Sequence, residues 1–100
     1  MMAVGACGLM NAVCNLQPKP LSQLCEAVWR NDLADGIDIH QRLLEINKAV
    51  FFDTNPIPIK YMMKRLGIIL ENEHRLPMMP AQAELEVRLD HVLEKAGLLN

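Results

Sequence analysis

The sequence has few aromatic side chains and no excess of charge of either sign. Its 100 residues include one Trp, one Tyr and two Phe, so a packed core has to be built from aliphatic side chains and seven Met. Apolar residues make up 51% of the chain, which permits such a core and argues against disorder. The net charge is −2 with the signs interspersed, which excludes the basic surface that a nucleic-acid partner requires.

A paired-cysteine framework is also missing. The three cysteines, Cys7, Cys14 and Cys25, are odd in number, form no CxxC motif and have no His at a zinc-ligand spacing. This pattern predicts free, buried thiols in a reducing compartment and no metal site.

Residues 1–16 are apolar but lack the features of a signal peptide or a membrane span. No basic residue precedes the stretch, and Asn11 and Asn15 interrupt it before it reaches the roughly 20 residues that a bilayer requires. VGAC at residues 4–7 is similar to a bacterial lipoprotein cleavage site, but only three residues precede it. We therefore expect a cytoplasmic chain with no membrane partner.

Apolar residues at helical spacing predict four helices in the rest of the chain. Prolines suit the first turn of a helix, and glycines suit the position just after its last turn. The helices are expected after the prolines of residues 18–20, from Leu33 to Phe51, between Pro58 and Gly67, and from Ala81 to Gly97.

The helix from Leu33 to Phe51 has a broad apolar face. Four of its side chains share that face: Leu33, Ile37, Leu44 and Phe51. Leu43, Ile46 and Val50 widen it. Gly36 costs about 1 kcal/mol of helix propensity relative to Ala, so we expect close packing or a late helix start there.

Residues Val4 to Val13 follow a different pattern. Gly5 and Gly8 would weaken a helix, and a short apolar run of this kind is typical of a strand buried on both faces. No comparable segment is available to pair with it, and a lone buried strand would leave backbone groups unsatisfied at several kcal/mol. Either the segment is helical after all or its partners lie outside this chain. The pattern favours the last strand of an α/β barrel, followed by its outer helix.

Several short motifs resemble the C-terminal region of the dihydrodipicolinate synthase family. They are NPIPIK at residues 55–60, LG at 66–67, RLPM at 75–78 and AGLL at 96–99. GLMNAV at residues 8–13, with Asn15, resembles the eighth barrel strand of that family and the start of its following loop. The resemblance covers essentially the whole chain in order, and NPIPIK together with RLPM is specific.

The resemblance implies a mostly α chain: the last strand of a (β/α)8 TIM barrel, its outer helix and a three-helix C-terminal extension. Residues 1–31 would be the last β/α unit and residues 32–100 the extension. The family forms a Schiff base between a barrel lysine and pyruvate, and the enamine attacks aspartate semialdehyde in lysine biosynthesis. It is usually a homotetramer and needs no metal or organic cofactor.

The same resemblance leaves this chain almost without active-site residues. The family's Schiff-base lysine, tyrosine proton relay and threonine pair lie on parts that precede the region resembled here. Only Met10 matches a position, on the last strand, that lines the pyruvate pocket. Met10 is therefore the one predicted substrate-binding residue. No catalytic residue and no metal ligand are expected, and the chain is expected to be inactive alone.

Other candidate side chains have simpler explanations. Lys60 belongs to a motif of the helical extension and is expected to be a helix surface residue rather than a nucleophile. Tyr61, the only phenol, is expected in the core or at an interface. Glu84 and Glu86 lie two residues apart on a helix and should point to different faces.

The histidines and methionines also have simple structural explanations. Three histidines belong to no metal motif and are expected at the surface or its boundary: His40, His74 and His91. Met62 and Met63 are expected in the core. Met78 and Met79 lie in an extended, proline-flanked segment that could cover a barrel wall or, without the barrel, form an exposed apolar patch.

Three other interpretations remain open. The chain could be a free-standing helical module that binds a protein through its apolar faces. It could belong to a sister pyruvate-dependent lyase acting on sialic acid or sugar acids. It could also dock onto a separately made barrel part by adding its strand to a sheet edge.

Overall fold

The structure, a computed structural model, describes residues 1–99. They form four α-helices and two short 3₁₀ turns. The helices are α1 (Pro18–Trp29), α2 (Leu33–Ala49), α3 (Ile57–Arg65) and α4 (Ala83–Lys95), and the turns are Met2–Val4 and Ala12–Asn15. The mostly helical character and the position of each predicted helix are confirmed.

Local sequence explains where the helices begin and end. α1 and α3 carry a proline in their first turn, where no N–H partner is lost. At the start of α2 the Asp32 carboxylate accepts a hydrogen bond of 3.2 Å from the Asp35 N–H. Gly67 and Gly97 adopt φ values of 78° and 75° just beyond α3 and α4, which side chains rarely tolerate.

The core lies where the two helix pairs meet. α1 packs on α2, α3 packs on α4, and α2 also contacts α4. Residues from every layer are almost fully buried in it: Val13, Val50, Met62, Leu89 and Leu93. The second 3₁₀ turn contacts α1 and α3, so the chain before α1 is part of this core.

Gly36 allows α1 and α2 to approach each other closely. A Cβ atom placed on Gly36 would lie 3.2 Å from Val28 Cγ2, tighter than an ordinary carbon–carbon contact. Close packing is therefore the reason for a glycine inside α2, and α2 begins at Leu33 without delay.

The predicted strand from Val4 to Val13 is wrong for this structure, because residues 1–99 contain no strand. The segment runs from one 3₁₀ turn to the next, and residues 8–11 form neither a helix nor a turn. Backbone groups of residues 7–10 make no hydrogen bond to other described residues. Cys7, Leu9 and Met10 are exposed, so water can satisfy these groups and the cost of burying them is avoided.

The single broad face predicted for α2 is also wrong, because the structure divides it into two. Ile39, Leu43 and Ile46 point into the core and are almost fully buried. The other four apolar side chains form a second stripe that remains exposed: Leu33, Ile37, Leu44 and Phe51. We call these four residues the outer stripe of α2.

The chain exposes more surface than its size requires. A monomeric protein of 11.3 kDa is expected to expose about 5,700 Å², whereas this chain exposes 6872 Å². Its radius of gyration is 14.6 Å, compared with about 13 Å for a typical domain of 100 residues. Part of the excess is apolar and lies on the outer stripe and on the segment before α1.

Candidate functional site

The sequence places its one predicted substrate contact, Met10, in the segment before α1. The Met10 side chain is 102% exposed and touches no other candidate residue. Its neighbour Asn11 has φ −151° and ψ 131°, which are the dihedral angles of an extended strand. Met10 therefore faces solvent, and the backbone of the next residue, Asn11, is extended.

Two hydrogen bonds fix the Asn11 side chain. Its Oδ1 accepts from the Val13 N–H at 3.0 Å, which caps the second 3₁₀ turn. Its Nδ2 donates to Asn47 Oδ1 of α2, also at 3.0 Å, in a partly buried position. One amide thus joins the turn before α1 to a helix 36 residues further along the chain.

An apolar groove lies beside this bond. It has a volume of about 370 Å³ and is bounded by the N-terminal segment, α1 and α2. Leu9, Leu24 and Ile37 contribute to its wall, and Asn11 and Asn47 supply polar groups. A groove of this composition suits an apolar segment of polypeptide better than a charged small molecule.

A polar cluster joins α3 to α4 on another side of the molecule. Tyr61 Oη donates to Asp90 Oδ1 at 3.0 Å, and Arg65 Nε lies 3.3 Å from the same oxygen. Burial, the hydrogen bond to Asp90 and the negative charges of Asp90 and Glu86 raise the pKa of Tyr61 to about 12. Tyr61 also packs against the core, as predicted, and its raised pKa makes it a poor proton relay near neutral pH.

The loop after α3 is held by Lys60. The Lys60 ammonium donates to the Glu73 backbone carbonyl at 2.8 Å. His74 Nε2 lies 2.8 Å from Asn72 Oδ1, while His74 Nδ1 is buried without a partner among the described residues. Burial, and then the positive charge of Lys60, lower the pKa of His74. Lys60 therefore ties a loop in place, in agreement with its predicted role as a surface residue.

The remaining candidates are not brought together. His40 and His91 are exposed, and residues 1–99 contain no group of three possible metal ligands. Glu84 lies with Arg88 beside one cavity, whereas Glu86 acts on Tyr61, so the two carboxylates have separate surroundings.

The cysteine prediction was partly wrong. All three thiols are free, but Cys7 and Cys14 are exposed and Cys25 is half-buried. Cys7 lies on the open segment before α1, whereas Cys14 lies on the solvent side of the second 3₁₀ turn.

The methionines follow the predicted division except at Met78. Met62 is fully buried and Met63 packs against the core. Met78 also packs against the core, whereas Met79 is 68% exposed.

Sequence reasoning missed the residues that organise the site. Asn11 lies within the GLMNAV motif but was assigned no contact, and Asn47 was not singled out. One signal was available: Asn47 lies between Leu44 and Phe51 at helical spacing, so it is a polar residue within the outer stripe. Asp90 likewise gave no local sign of its contact with Tyr61.

None of the α-helices in residues 1–99 is both long and apolar enough to cross a bilayer.

Comparison with known proteins gives consistent results. The family model of the dihydrodipicolinate synthetase family matches residues 1–96. The 4-hydroxy-tetrahydrodipicolinate synthase of Thermus thermophilus is 42% identical over 99 residues, which cover 99% of this chain and 33% of that protein. The chain thus spans about a third of the length of the curated relatives that it matches.

Solved structures agree in fold. The dihydrodipicolinate synthase of Thermotoga maritima superposes with a TM-score of 0.92 at 37% identity, covering 98% of this chain and 33% of that one. The chloride-inhibited synthase of Acinetobacter baumannii, solved in complex with pyruvate, gives a TM-score of 0.92 at 26% identity, with 98% and 33% coverage.

Proposed function

Because the chain belongs to the dihydrodipicolinate synthetase family, we propose that it forms the C-terminal portion of a Schiff-base-forming lyase. The proposal includes the absence of lyase activity in this chain by itself. Residues 1–31 would be the last β/α unit of a TIM barrel, and residues 32–100 a helical extension.

The observation that carries the proposal is the uncovered surface around residues 7–11. Backbone groups of residues 7–10 have no partner among the described residues, and they lie beside an apolar groove. The outer stripe of α2 continues this apolar surface, with Phe51 73% exposed. Such a surface suits an adjoining sheet edge and the helices around it, which would pair the backbone and cover the side chains.

The chemistry follows from the relatives. They are named 4-hydroxy-tetrahydrodipicolinate synthase, and one solved neighbour contains pyruvate. We infer that the complete enzyme condenses pyruvate with aspartate semialdehyde in the lysine pathway, and that Met10 contacts pyruvate there. Two observations support this role. The Met10 side chain is exposed and so is free to contact a ligand, and the extended backbone of Asn11 would allow a strand of the barrel to pair beside it.

The contacts of Lys60 support inactivity of the chain alone. Its ammonium donates to a backbone carbonyl at the surface, where it lacks the low-polarity surroundings that activate a Schiff-base amine. The proposal therefore places the nucleophilic lysine in the barrel portion. It also places this chain in the cytoplasm, in a homo-oligomer of completed barrels without metal or organic cofactor.

The test is reconstitution with a barrel portion. The Thermus thermophilus synthase, truncated before the region that this chain matches, is co-expressed with the chain, and condensation of pyruvate with aspartate semialdehyde is measured. We expect activity only when both parts are present. Absence of both binding and activity would contradict the proposal.

Borohydride trapping with pyruvate tests the second half of the proposal. No covalent adduct is expected on the chain alone, and a K60A variant should behave identically. In the reconstituted pair the adduct should form on the barrel portion. A stoichiometric adduct on this chain alone would refute its predicted inactivity.

A free-standing helical interaction module is the second candidate, and the outer stripe of α2 favours it. A module should unfold cooperatively by itself and bind a helical partner without the barrel portion. Reconstitution of activity would exclude this interpretation.

The aldehyde used by the reconstituted pair distinguishes the synthase from sister lyases acting on sialic acid or sugar acids.

A further inference from the structure

Asn11 caps the second 3₁₀ turn with an extended backbone, the usual geometry of a capping residue, and the same angles would allow it to continue a strand. Its φ and ψ of −151° and 131° belong to the extended region. Ordering the backbone of a residue costs conformational entropy, so an open segment needs a contact that holds it. The Asn11 side chain has such a contact, because it donates to Asn47 Oδ1 and accepts from the Val13 N–H, each at 3.0 Å.

Asn47 is an unusual residue for its position. It follows Leu44 by three residues and precedes Phe51 by four, so it falls on the outer stripe, which also carries the polar residue His40. A polar residue within an apolar seam costs stability, and it specifies how the segment that hydrogen-bonds to it is aligned. The partner seen here is the amide of Asn11.

Alignment matters for the residue next to Asn11. In a strand, successive side chains point to opposite faces, so a slip of one residue would exchange Met10 for Leu9 or Asn11 on a given face. Pinning Asn11 by its side chain fixes which face Met10 takes.

We propose that Asn47 is a positioning residue: through Asn11 it holds residues 8–11 extended and in register for addition to a sheet edge. This proposal extends the proposed function, and its docking step rests on that function. The partner is the open edge of a β-sheet, recognised by backbone N–H and C=O groups and aligned by the Asn11–Asn47 bond. The bond pre-organises the segment, which reduces the entropy lost on docking.

The first test uses the chain alone. In N47L, Asn11 Nδ2 loses its acceptor, and we expect the Val13 amide to exchange about fivefold faster, as for the loss of one ordinary hydrogen bond. N47D keeps the acceptor oxygen and should exchange like the wild type. The amide of buried Met62 reports global opening, so the Val13 rate is compared with the Met62 rate in each variant to separate the local effect from a change in overall stability.

A matched control is available in the same segment. Asn15 Nδ2 donates to the Ala12 carbonyl at 3.1 Å, but this bond is exposed and does not reach α2. N15A should leave exchange of the Val13 amide unchanged. If N47L exchanges at the wild-type rate at Val13, or if N47D is as fast as N47L, the positioning role is wrong.

The second test uses the reconstituted pair. N47L should weaken binding of the barrel portion about fivefold, with recovery in N47D and no effect of N15A. Wild-type affinity in N47L would overturn the inference while leaving the proposed function intact. If the wild-type chain does not bind the barrel portion, both the proposed function and the docking step are wrong. Amide exchange in the chain alone still tests whether Asn47 holds the segment.

Discussion

The polar cluster between α3 and α4 gives a sharp test of the packing described above. Replacing Tyr61 with Phe removes one hydroxyl and keeps the ring that packs against the core. The Tyr61–Asp90 hydrogen bond of 3.0 Å is lost, while Arg65 Nε remains 3.3 Å from the same carboxylate oxygen. The perturbation is therefore confined to a single contact.

The size of the effect follows from the acceptor and its exposure. A hydrogen bond to a charged group contributes about 1.5–3 kcal/mol when buried. The Asp90 side chain is 32% exposed and keeps Arg65, so we expect a value at or below the bottom of that range, about 1–1.5 kcal/mol at pH 7. For a chain of this length that is a decrease in Tm of roughly 4–12 °C.

The pH dependence has a definite sign. The folded-state pKa of Tyr61 is raised from 10.0 to about 12, so the folded state holds the phenolic proton more tightly than the unfolded state does. This contribution to stability is fully present below pH 10 and is lost between pH 10 and about pH 12. Y61F lacks the titrating group, so its deficit relative to the wild type should shrink over that range.

The assay is thermal unfolding followed by circular dichroism at pH 7 and above pH 10. Because Tyr61 is the only tyrosine, ultraviolet absorbance of tyrosinate measures its pKa directly. In a D90A background, Y61F should cost much less, since the shared acceptor is gone. Equal stability of Y61F and wild type at pH 7, or an unchanged cost in D90A, would refute the reasoning.

Two further perturbations test the core and the exposed surface. M62A should lower the free energy of unfolding by about 2–5 kcal/mol, because Met62 is fully buried, whereas M63A at the core's edge should cost clearly less. Denaturant titration measures both, and equal effects would contradict the assigned burial. I37K places a charge on the outer stripe of α2, where Ile37 is 48% exposed, and should reduce self-association in analytical ultracentrifugation without lowering stability by more than about 0.5 kcal/mol. Loss of folding in I37K would mean that this side chain is needed in the core.

Helix positions were predictable because their causes are local. The prolines of residues 18–20, the cap at Asp32 and the glycines after α3 and α4 act within a turn of where they stand in the sequence. The strand prediction for Val4 to Val13 was wrong for the opposite reason. A strand is defined by its partner, so an apolar run that would pair in one setting stays open where no second strand is present.

The two faces of α2 mark another limit of sequence reasoning. Periodicity shows that a side of a helix is apolar, and it does not show whether anything covers that side. Ile39 and Ile37 are the same residue type, two positions apart, yet only Ile39 is buried. The Asn11–Asn47 bond spans 36 residues, and the Tyr61–Asp90 bond spans 29. Contacts of that range are set by the fold and leave no local pattern.

The outer stripe of α2 has a consequence for the life of this chain in a cell. Newly made copies that have not met their covering partner would display Leu33, Ile37, Leu44 and Phe51, the kind of surface that chaperones and proteases recognise. Copies in excess of that partner would be removed, and copies matched to it would persist. The abundance of the chain should therefore follow the supply of whatever covers α2 more closely than its own rate of synthesis.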